Sequence, residues 1–425
     1  MNGNFLHHLW KLKHFNFHEL KTTEGESVEI LKTGLHNHDA GPDFFNALIK
    51  VGDTLWAGNV EIHLKSSDWK NHEHEKDKAY DNVILHVVYE DDGIIKRSDG
   101  SPIPTIELKE KFDHRLWRNY NELVHTPHWI SCAHRISEVD EFTVNNWLDR
   151  MLTERLERKT ETIFSSLESN NNNWEETFYQ HLAKNFGFKV NAMPFELLAK
   201  SLPLNFLSKH KDHVVQLEAM LFGQAGMLTE ELKDDYPNEL RKEYLFLKNK
   251  FNLESIVGHQ WKFLRLRPMN FPTVRIAQFA QLLHRSSHLF SKILECTNLE
   301  EIEKYFEVKV SLYWQTHFVF DKLSILKSKH QGESTIQNII VNTVVPFLFA
   351  YGISRSSEEH QQRALQFLEE IPSEENIIIS KWNDINIKSR SAYSSQALLQ
   401  LKNEYCDLKK CLTCSIGNKI ISNPS

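Results

Sequence analysis

No run in the sequence approaches the roughly 20 apolar residues that a membrane-spanning helix requires, so no membrane association is expected. Residues 1–20 hold four histidines but no continuous apolar block followed by a small-residue cleavage site, so no secretory signal is expected either. Excess positive charge is missing as well: the formal net charge is −7 over 425 residues. Nothing global therefore advertises nucleic-acid binding, although a local basic face can lie on an acidic protein. Cysteine is scarce, at five residues. An odd count without an export signal argues against a disulfide framework and for a reducing compartment, the cytoplasm by default. No fixed-period repeat is found, and nothing in the pattern sets an oligomeric state.

What is present is bulky core material, with 26 Phe and 10 Trp, in a chain long enough for two or three domains. Phe5, Leu6, Leu9, Trp10 and Leu12 have helical spacing. Val28 and Ile30 alternate with polar neighbours as on a strand, and residues 44–51 and 54–65 read as two further strands joined by a Gly52-Asp53 hairpin turn. Residues 66–81 are polar and predict a short helix or helix-containing loop. Val83 to Tyr89 predicts a buried central strand, and Ile94 to Leu108 another hairpin, with Pro102 and Pro104 suiting an edge. From Asp140 an apolar helical face begins with Val144, Trp147, Leu148, Met151, Leu152 and Leu156, and helical segments continue to about Lys402. The expected fold is an α+β or α/β N-terminal domain over residues 1–135 with a mixed sheet and an α-β-β-β-α-β core. A mainly α-helical domain follows over 136–402, then a cysteine-containing segment and disordered tail over 403–425.

The segment from Gly41 to Lys65 carries the most chemistry. Asp43 stands at the mouth of one strand, and Glu61, His63 and Lys65 alternate on the next. Alternate residues share a face at a spacing of about 6.6 Å, so three polar groups point the same way and need water or a ligand. With the helix-strand order around it, this pattern resembles the PD-(D/E)XK nuclease superfamily, whose fold is restriction-endonuclease-like. The resemblance implies a metal-dependent nuclease: Asp43 and Glu61 would hold Mg or Mn, and His63 and Lys65 would complete the catalytic set on a DNA or RNA phosphodiester. A strict acid-x-Lys motif would put an acid where His63 stands. Either Glu61 and Lys65 act across His63, or His63 replaces the acid and the site is altered or dead; a plain exposed Glu61–Lys65 ion pair is the bland alternative.

Ala40-Gly41-Pro42-Asp43-Phe44, Gly58 to His63, Ser67-Asp68-Trp69, Tyr80 to Val88, Arg267 to Pro272 and Cys411 to Gly417 together resemble an uncharacterised bacterial family, domain of unknown function 2851. That resemblance spans nearly the whole chain and implies no activity.

Three other constellations stand out. Histidines and acids are dense at His36, His38, Asp39, His63, Asp68, His72, His74, Asp77, Asp81 and His86. Imidazole with carboxylate suits Zn or Mn, and His72 and His74 are candidate substrate contacts; on a helix those two would diverge. Exposed or aromatic-packed histidines are the alternative, with His86 a core or site-wall residue. Cys406, Cys411 and Cys414 crowd the C-terminus, and Cys132 is the best candidate fourth ligand for a Zn or iron–sulfur site; idle thiols are the alternative, and Cys296 reads as core. Arg265, Arg267 and Arg275 suggest a phosphate-facing patch, or equally a solvated helix entrance. The leading expectation is a nuclease-like hydrolase. The rivals are a non-catalytic nucleic-acid or partner-binding protein with a cysteine metal staple, and a Zn or Mn hydrolase of a small substrate.

Overall fold

Helix α1 (Gly3–Leu12) forms where Phe5, Leu6, Leu9 and Trp10 recur on one side, and all four are fully buried. Asn2 caps it, its side-chain oxygen accepting the Phe5 amide at 3.0 Å, which satisfies one of the helix's free N–H groups. The computed structural model describes residues 1–37, 39–256 and 258–423, so His38 lies outside the described residues.

A six-stranded sheet follows, built from β1 (Val28–Lys32), β2 (Leu35–His36), β3 (Phe44–Val51), β4 (Thr54–Lys65), β5 (Val83–Glu90) and β6 (Thr105–Glu107). Its order is β1-β3-β4-β5-β6, with the short β2 also paired to β3. The pairs β1–β3, β2–β3 and β3–β4 are antiparallel, whereas β4–β5 and β5–β6 are parallel. The sheet is therefore mixed, and α1 packs against β4. Phe44 and Ala47 are both buried although three positions apart, because Asn46 takes a left-handed backbone (φ 57°) at a register shift that inserts one residue.

Strand β5 is buried from Val83 to Val88, the signature of a strand covered on both faces. Gly58, on β4, cannot be replaced by a larger residue without movement. A Cβ there would lie 2.4 Å from Ile84 Cγ2 and 2.7 Å from the Asn82 carbonyl oxygen. The parallel β4-to-β5 connection crosses through helix α2 (Asp68–Asn71) and two single 3₁₀ turns, His74–Lys76 and Lys78–Tyr80. Trp69 anchors it in a cluster with Val83, Ile95 and Ile103.

The expected hairpin at Ile94–Leu108 is formed only as a short antiparallel turn, the Arg97 amide donating to the Ser101 carbonyl at 2.9 Å and the Ile103 amide to the Ile95 carbonyl at 3.3 Å. Lys96 and Pro102 share one isolated bridge, and the chain beyond Pro104 turns to run parallel to β5 as β6. Proline lacks the N–H that a continuous ladder needs.

The chain divides into two compact units, Met1–Asp149 with Gln400–Ser425, and Arg150–Leu399. The first boundary differs from the expected 135/136 because one continuous helix, Glu141–Ser169, runs through it. Helical periodicity shows a buried face but not which core that face joins. The C-terminal tail expected to be disordered instead carries a helix, Ser415–Ser422, with Ile416, Ile420 and Ile421 buried.

The second unit is helical apart from a ribbon of His317–Val319 and Lys322–Leu323. It contains one continuous helix, Glu333–Ser354, with a wider π turn at Ile340–Val344. By length and composition this helix is long and apolar enough to cross a membrane, although polar residues interrupt its apolar run. Its apolar window is 72% buried within the protein.

Candidate metal centre

The centre begins with two carboxylates, each accepting a backbone amide at or next to the other. Asp43, just before β3, accepts the Ile62 amide at 2.9 Å, and Glu61, on β4, accepts the Asp43 amide at 3.1 Å. This reciprocal clasp fixes both acids where β3 and β4 diverge. It leaves Glu61 Oε1 facing His63 Nε2 and His74 Nε2, each at 3.4 Å. From α1, His7 Nε2 approaches Asp43 Oδ2 at 3.3 Å.

Three imidazoles then converge. His63 Nε2 lies 3.1 Å from His72 Nδ1, and the ligand atoms of His63, His72 and His74 all fall within 4.8 Å of one another. Donor atoms bound to one cation at about 2.0–2.1 Å sit roughly 3.0–3.4 Å apart, so the His63–His72 separation suits a shared ion, and the His74 ring, inside the 4.8 Å limit, would draw closer to join it. His72 and His74 converge because Glu73 between them adopts a left-handed backbone (φ 59°), folding the chain back after α2. They do not lie on one helix, where they would diverge.

The surroundings hold the rings in place. His74 stacks on Tyr80 with centroids 3.8 Å apart and meets the edge of Trp69 at 5.4 Å. Trp69 is itself fixed by an Nε1–H bond to the Lys96 carbonyl at 3.1 Å. His63 Nδ1 lies 2.9 Å from Nε2 of the fully buried His86. A ligating imidazole needs its second nitrogen oriented by a partner, and His86 is placed to accept that proton. His72 is exposed and His74 half-buried, so the centre opens to solvent on one side.

Burial pulls the Asp43 carboxyl upward, but the His7 hydrogen bond, the His7 charge and the Ile62 amide leave it below its ordinary value. Burial raises Glu61, and the neighbouring Asp43 charge adds to the shift. Burial, then the His74 and His72 rings, lowers His63 to about 4, and burial likewise puts His86 well below its ordinary value. Both rings are thus neutral near pH 7, the state in which imidazole ligates metal.

The remaining sequence candidates fall elsewhere. Lys65 is exposed and lies in the field of Glu90 and Asp92. Asp68 accepts the Lys65 amide and Asn71, Asp77 caps the turn at Ala79, and Asp81 accepts from Ser98; these acids stabilise turns. His36 stacks on Phe44 and meets the edge of His7. In the second unit Arg275 is a correction. It is buried, its guanidinium donates to Asn270 and Gln278 and lies over Phe188, so it does not face a phosphate. Arg265 and Arg267 are exposed. His7 was not legible as a member of the site. His7 is 36 positions before Asp43, and no spacing rule links a helix residue to a strand mouth.

The four predicted cysteine ligands share the first unit. Cys132, Cys411 and Cys414 are buried and Cys406 half-buried, all as free thiols. Cys132 lies within electrostatic range of Cys411 and Cys414, and Cys406 within range of all three others. Cys296 is in the second unit, its Sγ bonded to the Lys292 carbonyl.

Residues 3–377 match the family described as protein of unknown function (DUF2851). The chain belongs to this family. The span matched by DUF2851 contains every histidine and acid of the centre and Cys132, and ends before Cys406, Cys411 and Cys414. No curated protein and no solved structure matches the chain.

Proposed function

We propose that the protein is a metal-dependent hydrolase of phosphodiesters, nuclease-like in the arrangement of its first unit. The observation that carries this reading is the placement of Glu61 Oε1 at 3.4 Å from both His63 and His74, with His72 beside His63, at an opening next to the Asp43–Glu61 clasp. A helix, antiparallel strands and a parallel crossover, with the two acids at their centre, support a restriction-endonuclease-like core. In this reading the strand face that meets Asp43 is Glu61-x-His63, and His63 occupies the position of the motif lysine. Lys65 lies outside it.

The donor set fits an ion that accepts imidazole. Three histidines favour Mn or Zn, while Mg prefers oxygen and water. When bound, such an ion polarises a phosphoryl oxygen and lowers the pKa of water. The chain's own groups do the rest. Glu61 Oε1, held by its other oxygen on the Asp43 amide, is positioned to take a proton from water. Asp43 and His7 fix Glu61's supporting strand. His86 keeps His63 in the tautomer with Nε2 toward the opening, and Tyr80 and Trp69 exclude water from one side.

Metal-stripped protein should regain cleavage of single- or double-stranded oligonucleotides, or of a simple phosphodiester, with Mn²⁺ or Zn²⁺. Glu61→Gln should lower the rate by about 100-fold or more. Cleavage of only the simple diester favours the small-substrate hydrolase. Nucleic-acid binding without cleavage in any metal favours the binding protein and overturns catalysis.

A further inference from the structure

The four cysteines form a second centre of a different kind. Among the described residues, only His63, His72 and His74 bring three ligand atoms within 4.8 Å of one another. No three of Cys132, Cys406, Cys411 and Cys414 do so, although they lie in one another's field. A single tetrahedral zinc with bonds of about 2.3 Å holds its sulfurs about 3.8 Å apart, so the cysteine cage is wider than one zinc requires. An iron–sulfur cube takes one thiolate at each of four separate irons, and suits a wider cage.

The cage is built, not incidental. Cys414 immediately precedes the helix Ser415–Ser422, and its sulfur accepts the amides of Ile416 and Gly417. Cys411 accepts a hydrogen bond from the Ser131 side chain. Such donors to sulfur stabilise thiolates and tune cluster potentials. Gly417 permits the close turn: a Cβ there would lie 2.2 Å from the Cys411 carbonyl oxygen. The C-terminal helix is docked beside Cys132 by helix α3 (His114–His125), where Asn119 Nδ2 donates to the Ile421 carbonyl at 3.1 Å.

We infer that Cys132, Cys406, Cys411 and Cys414 ligate a [4Fe–4S] cluster that staples residues 406–414 to the segment after α3. Each thiol gives its proton to solvent as its sulfur binds one iron, and two ferrous with two ferric ions and four sulfides make up the resting cluster, so no net electron transfer is needed when both iron states are supplied.

The test is the metal content of the full chain, purified without oxygen and reconstituted with iron and sulfide. About four irons and four sulfides per chain are expected, with a visible absorption that bleaches on reduction. Cys296→Ser should keep the full iron content. Cys406→Ser, at the least buried ligand, should lose at least one iron from a chain that still folds by circular dichroism. One zinc without sulfide, thiols that stay metal-free after reconstitution, or Cys406→Ser retaining all four irons overturns the assignment. None of these outcomes bears on cleavage at the histidine centre, which is read separately.

Discussion

The histidine centre and the cysteine cage occupy the same unit and differ in almost every physical respect. The histidine centre is narrow and open on one side through His72, with a carboxylate among its donors. The cysteine cage is wide and largely buried, with amide and hydroxyl donors aimed at its sulfurs. An open, mixed-donor site leaves room for a substrate, whereas a closed thiolate site contributes folding energy. The difference lies in where each set comes from. Glu61 and His63 share one strand and are supplemented by the next turn. Cys132 and Cys414 are separated by 282 positions, taken from their numbering, and joining them closes the unit on itself.

The sharpest way to break this contrast is to interchange the effects. Glu61→Gln should cost about 100-fold or more in cleavage, or about 2.7 kcal/mol, while leaving iron content unchanged. A Glu61 variant that lost iron, or a Cys406 variant that lost cleavage while keeping its fold, would show one coupled centre. Buried and exposed arginines of the second unit provide a parallel test. Arg275→Ala should destabilise by about 1–3 kcal/mol, because it leaves Asn270 and Gln278 without their donor. Arg267→Ala should stay within about 0.5 kcal/mol. Equal effects in chemical denaturation would remove the distinction.

Much of the first unit was legible because its strands follow simple rules. β3 and β4 occupy the expected spans on either side of the Gly52-Asp53 turn, with β3 alternating from Ala47 onward, and the β5 run reads as a covered strand. The centre was half legible. Glu61 and His63 follow from strand period, but the meeting of His72 and His74 depends on one left-handed residue, Glu73, that sequence patterns do not mark. The helix Glu333–Ser354 falls within the helical stretch expected up to about Lys402; its continuity is what the sequence does not mark, because Gln337, Asn338, Asn342 and Thr343 interrupt the apolar run. Arg275 followed a basic cluster in sequence, yet it lies on the helix Pro272–Arg285 in a stretch buried on every side, whereas Arg267 precedes that helix and is exposed.

Gly417→Ala sharpens the comparison from the cysteine side. The new methyl group must displace the Cys411 carbonyl, at a cost of about 1–3 kcal/mol, and should reduce cluster incorporation several-fold without touching cleavage. Wild-type incorporation and thermal stability in this variant would mean that the close turn does not shape the cage.

Acid sensitivity separates burial from ligation. His8 on α1 and His181 in the second unit are each lowered to about 4, chiefly by burial, with the His14 and Lys184 charges next. Unfolded histidine titrates near 6.5, so between those values the unfolded chain binds protons that the folded chain does not. Stability is therefore full above about pH 6.5 and falls toward pH 4, by at most about 1.4 kcal/mol per pH unit for each group. Neither residue belongs to a metal centre, so the loss should persist with or without added Mn²⁺. His8→Gln should flatten the stability profile measured by urea denaturation between pH 6.5 and 4.5. An unchanged slope would place the acid sensitivity in other groups, and the histidine centre, with its own buried rings, would be the first place to look.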